Sequence, residues 1–147
     1  MPGVVGGAGD APRYPDGRGM TRRLPTRWRT AFEDQLGNAE LRVARAEEYL
    51  TADEGGRALQ EAYPAVVAAA TIRVWLRAPP WEQPTEPDVM RRQVIEEFPN
   101  LFAAMASMDM SSVLTSPWPV SAAAPYVGEA RAFLTETRGR FDEWIAG

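Results

Sequence analysis

The chain has 147 residues, 45% hydrophobic and 24% charged, with a net charge of −4; that is one domain's worth of sequence, with enough apolar content to fold without a staple. It has no Cys and no His, and all 16 basic residues are Arg. Disulfides, thiol nucleophiles, histidine bases and ligands, Schiff-base lysines and the phosphate-loop lysine are therefore excluded, and any catalysis would rest on carboxylates, Arg, Ser, Thr or Tyr.

The acidic balance argues against a broad nucleic-acid footprint but leaves room for a local arginine patch. No run of 18 apolar residues occurs, so no membrane-spanning helix is expected. The N-terminus lacks the charged and apolar regions of a signal peptide, and the expected location is cytoplasmic.

Residues 1–25 are rich in Gly and Pro and carry almost no apolar periodicity. We read them as an N-terminal arm, flexible or docked on a partner, with residues 26–147 as the helical domain. Met20 is a candidate internal start. Arg22, Arg23, Arg27 and Arg29, with Arg18, are the densest basic stretch. They form either a solvated entry to the first helix or an arm that grips an acidic partner or a phosphate backbone.

The first helix is expected to start between Thr26 and Thr30, with Thr30 and Glu33 spaced as a capping box. Phe32, Leu36, Ala39, Val43, Ala46 and Leu50 then alternate spacings of four and three, a heptad-like seam. Gly55 and Gly56 supply a left-handed C-terminal cap.

Ala58–Ala78 is the organising stretch. From Ala62 to Leu76 only Thr71 and Arg73 are polar, and a helix apolar on every side must be buried among others. Pro64 removes one backbone donor, so a kink is expected there. A charge at Arg73 is costly unless paired. Its guanidinium either snorkels to the surface or pairs with a carboxylate from another helix; otherwise it lines a pocket with Tyr63 and holds an anion.

A Pro-rich crossover carries Trp81 and leads to a third helix opening at Thr85–Pro87. Pro99 splits that helix. Residues 109–124 read as a loop that lays Trp118 over one end of the bundle; a short strand or an exposed anchor remain alternatives. The last helix is expected from Pro125 to Ile145, with Gly139 marking the close approach of another helix.

The resulting expectation is an all-α, antiparallel four-helix bundle with a kinked second and a split third helix. Glu47-Glu48 is followed at the wanted position by Thr51, and Glu96-Glu97 by Asn100. Neither completes the Glu-Glu-x-x-Glu magnesium motif of helical pyrophosphatases, so no metal and no cofactor is expected. Trp28, Trp81 and Trp118 fall at helix ends or in loops, where indoles often anchor interfaces.

Arg45–Leu50 followed by Arg57–Ala70, and Glu129–Leu134 near the end, resemble the HEPN family of helical domains. That family's ribonucleases use Arg followed four to six residues later by His, a role no residue here can inherit. The resemblance implies a non-catalytic member that binds nucleotides, RNA or a protein. The functional expectation is a non-enzymatic binding or assembly protein, as a homodimer or a subunit of a larger complex; the alternatives are a helical small-molecule-pocket protein or atypical enzyme using Arg73 and Tyr63, and an RNA- or nucleotide-associated module.

Overall fold

The seam from Phe32 to Ala46 is the buried face of a helix in the computed structural model, which describes residues 25–79, 81–82 and 85–146. Every regular element among these residues is helical. They are α1 (Thr26–Thr51), α2 (Gly55–Arg77), α3 (Pro87–Glu96), α4 (Asn100–Met105), α5 (Met110–Thr115) and α6 (Val120–Ala146). The arm of residues 1–24, with Arg22 and Arg23, lies outside the described residues.

α2 packs against both α1 and α6, and α1 and α6 touch each other. The apolar run of α2 accounts for its position: Leu59, Ala62, Val66, Ala69, Ala70 and Ile72 are fully buried. Its small alanines let both neighbours come close. α1 runs antiparallel to α2, since Trp28 at its start meets Trp75 near the end of α2. α6 runs parallel to α2: the Trp118–Pro119 backbone lies at Gly55, and Arg73 reaches Thr137. The short helices carry the chain back to the end where α2 began. α3 and α5 touch α2, and α4 touches α6.

Several boundaries differ from the sequence reading. α1 begins at Thr26 with Pro25 before it, so Thr30 sits inside the helix and the expected capping box does not form. Gly55 and Gly56 do not cap α1. The left-handed residue is Asp53, at φ 61°. The Glu54 N–H donates to Tyr49 O (2.8 Å) and the Asp53 N–H to Leu50 O (3.1 Å), the double bond pattern of a Schellman turn. Left-handed backbone disfavours any residue with a Cβ. Asp53→Gly is therefore expected to raise the unfolding free energy by about 1 kcal/mol, read as a higher urea midpoint at unchanged slope.

The segment read as a loop contains α5. Asp109 caps it, accepting from the Ser111 N–H (3.2 Å) and the Ser112 hydroxyl (2.9 Å). α6 starts five residues before Pro125, because the Pro119 carbonyl already accepts from the N–H groups of Ala122 and Ala123. Pro125 thus lies inside the helix, where it removes the bond to the Ser121 carbonyl and its ring crowds that same carbonyl. Gly139 marks no close approach among the described residues: a Cβ there would meet nothing of them within 4 Å.

The exposed sides of α1 and α6 are joined by arginines. Arg138 bonds Glu33 (2.9 Å) and Glu40 (3.0 and 3.1 Å), and Arg131 clasps Glu47 through two nitrogens (2.7 and 2.9 Å). Glu129 serves another end of α6, accepting from the Leu101 and Phe102 N–H groups that open α4.

Candidate functional site

Aromatic residues gather at the two ends of the bundle. At the first end Phe32 is fully buried and stacks on Trp75, with ring centroids 5.4 Å apart. Trp28, one turn earlier on α1, lies 5.3 Å from Trp81 and 5.8 Å from Trp75. Trp81, delivered by the crossover, also meets Trp144 edge-on at 6.3 Å, and Phe141 closes the group 6.0 Å from Phe32. Trp28 stands in the first turn of a helix, and i,i+4 spacing places it beside Phe32.

Trp28 and Trp81 are both half-buried. Two indole nitrogens of this group, Trp28 Nε1 and Trp144 Nε1, are buried and have no acceptor among the described residues. A buried donor without a partner costs about 1–3 kcal/mol, and most such groups in proteins are satisfied. Arg27 and Arg29 flank Trp28 in sequence and are exposed. This end therefore combines a packed aromatic cluster, two buried indole donors without an acceptor among the described residues and two exposed cations.

Trp118 belongs to the opposite end. Its Nε1 donates to Val113 O (2.8 Å), and its ring meets Tyr126 edge-on at 5.5 Å. Tyr126 in turn packs on Phe102, beside Tyr63 and Phe98. The three tryptophans expected as anchors are thus divided between the ends. Trp75 and Trp144, which helical spacing assigns to the core, complete the first group.

Tyr63 and Arg73 do not share a site. Ten positions on one helix separate them by about 15 Å along the axis. Tyr63 is half-buried, and burial pushes its phenol above the ordinary value of 10.0. Arg73 is only 7% exposed. Its Nε donates to the Thr137 hydroxyl (2.7 Å), and Nη2 donates to Phe133 O and to Glu136 (both 3.2 Å). The guanidinium also lies 3.8 Å from the centroid of the Phe133 ring, a cation–π contact. Burial lowers the affinity of Arg73 for its proton, and the bond to Glu136 opposes that. Arg73 thus has the carboxylate partner expected of a paired charge, and its neighbours are helix surfaces.

The ion pairs set an acid limit on stability. Hydrogen bonding to Arg131 holds the Glu47 carboxyl below the ordinary 4.5, and the bond to Arg73 does the same for Glu136. A carboxyl depressed in the fold stabilises above its unfolded value and loses that contribution as pH falls through the folded one. With no His in the chain, the melting temperature is expected to be flat from about pH 6 to 9. It should fall below pH 4.5, and again above 10, where the unfolded tyrosine ionises first. Calorimetry across that range checks both limbs, and a step near pH 6.5 would contradict the assignment.

Among the described residues, no group of three or more acidic side chains is placed to hold a metal ion. No helix there is long and apolar enough to cross a membrane. No family model, curated protein or solved structure matches the chain.

Proposed function

We propose that the chain is a non-catalytic helical assembly protein, and that its tryptophan-rich end with Arg27 and Arg29 meets a second copy of itself. The architecture in this reading is a four-helix bundle, with α3 and α4 together as a third rod broken at Phe98–Pro99. The observation that carries it is the half-buried pair Trp28 and Trp81 beside the two exposed cations Arg27 and Arg29. A facing surface with carboxylates would pair with Arg27 and Arg29. The chain carries 20 Asp and Glu residues against 16 Arg, and tryptophan and arginine are enriched among the residues that dominate interface energetics.

Light scattering on size-separated full-length protein, from about 1 to 100 μM, a range that spans micromolar affinities, tests this directly. Self-association that Arg27→Glu with Arg29→Glu abolishes is the expected result. A monomer at every concentration removes the second copy. An HEPN-like, RNA-associated module is the other class of partner, and labelled single-stranded RNA separates the two. Such binding would fall steeply with added salt and require the same arginines.

A further inference from the structure

The tryptophan-rich end carries exposed charges of both signs, set where their own helices disfavour them. α1 starts here and α6 ends here, since Phe32 lies 6.0 Å from Phe141 and Trp81 meets both Trp28 and Trp144. Arg27 and Arg29 stand in the first turn of α1, which holds no acidic residue. Asp142 and Glu143 stand near the close of α6, whose last turn holds no basic residue. All four are exposed. A cation at a helix N-terminus and an anion at a C-terminus each oppose the helix dipole.

The partners that helical spacing offers these groups are engaged elsewhere. Glu33, four residues beyond Arg29, binds Arg138 (2.9 Å). Arg138, four residues before Asp142, also holds Glu40 (3.0 Å). Arg140, three residues before Glu143, goes to Glu136 (3.2 Å). None of the four exposed charges forms an ion pair among the described residues.

Trp81 adjoins both helix ends, 5.3 Å from Trp28 and 6.3 Å from Trp144, and all three indoles are half-buried. A two-fold axis near Trp81 brings the start of α1 in one protomer to the end of α6 in its partner, and the reverse. Such an interface is self-complementary, so every contact occurs twice. We propose that two copies join through this end about such an axis, with Arg27 and Arg29 of one protomer paired to Asp142 and Glu143 of its partner. The pairing rests on the self-association proposed above, and adds its symmetry and the acidic half of its contact.

Light scattering on full-length charge-reversal variants tests it. Arg27→Glu with Arg29→Glu should be monomeric alone, because carboxylates then face carboxylates. Asp142→Arg with Glu143→Arg should be monomeric alone for the converse reason. Mixed one to one, the two should form a dimer, since both contacts of the mixed pair join opposite charges. The milder Asp142→Asn with Glu143→Gln should weaken the dimer about tenfold or more, because symmetry counts each lost ion pair twice. Glu48→Arg with Glu96→Arg makes the same change in net charge on the last turns of α1 and α3. That control should leave the affinity within about twofold, as screened distant charges do.

Four results would each overturn the pairing while self-association stands. A dimer indifferent to both changes at Asp142 and Glu143 places the acidic half elsewhere, such as at exposed Glu82 beside Trp81. A mixture that stays monomeric removes the reciprocal contact. Equal weakening by the Glu48 and Glu96 control means diffuse repulsion rather than pairing. A mass that climbs past the dimer with concentration replaces two-fold closure by an open chain. An unchanged chain that is monomeric throughout removes this pairing and the assembly reading together.

Discussion

Phe32→Ala is expected to lower the unfolding free energy by about 3–5 kcal/mol, the range for truncating a fully buried aromatic. Phe32 is 0% exposed, and its ring lies within 6.2 Å of the rings of Trp28, Trp75, Trp81 and Phe141. Removing it leaves a cavity walled by indoles on two helices and a crossover loop, none of which can close without breaking another ring contact. Urea unfolding followed by tryptophan fluorescence measures the loss and also reports the site, since four of the five tryptophans surround it. Leu41→Ala on the same helix is the control. Leu41 is 58% exposed, and its change should stay within about 0.5 kcal/mol. A loss below about 1 kcal/mol for Phe32→Ala would mean that the aromatic end is not the packed unit described.

Gly55→Ala is expected to cost about 1–3 kcal/mol, the usual penalty of overpacking, although alanine is the better helix former. A Cβ at this position would run into the carbonyl oxygen of Trp118 and lie 3.1 Å from the backbone of Pro119. Both obstacles are main chain, so no rotamer relieves them. Either the start of α2 or the entry to α6 must move. Gly56→Ala is the informative neighbour. Its added methyl would meet Ser116 O at 3.8 Å, an ordinary contact, and the helix would gain about 0.5–1 kcal/mol over glycine. Opposite signs at adjacent glycines, measured as shifts in the denaturation midpoint, are the expected signature. Equal signs would show that Trp118–Pro119 does not press on α2.

The helical character of the chain was readable where one element carries its own pattern. The seam of α1 and the apolar run of α2 state their burial in local spacing; the seam is buried from Phe32 to Ala46 with Leu50 half-buried, and the run is buried except at Tyr63, Pro64, Val67, Ala68, Thr71 and Trp75, which are half-buried. What stayed hidden depends on partners distant in sequence. Nothing near Gly55 announces Trp118, 63 positions later (118 − 55). The two glycines therefore look like a helix cap, while the left-handed turn falls to Asp53. Asp109 followed by Ser111 and Ser112 does carry a local capping signal, but the prolines around Trp118 mask the short helix it opens. Trp81 and Trp144 show the same limit for the candidate site. One sits among prolines and the other on an apolar stripe, and only the fold makes them neighbours.

The arginine clasps between α1 and α6 also bear on how the chain emerges from a ribosome. Glu33, Glu40 and Glu47 wait for Arg131 and Arg138, which are synthesised 84 to 105 residues after them. The α1–α2 hairpin can zip as it leaves the exit tunnel, but the side of α2 reserved for α6 stays uncovered until α6 itself has been synthesised. A stalled or truncated nascent chain would expose that alanine-rich flank, making it the natural substrate for a chaperone and the first surface to stick to another unfinished copy.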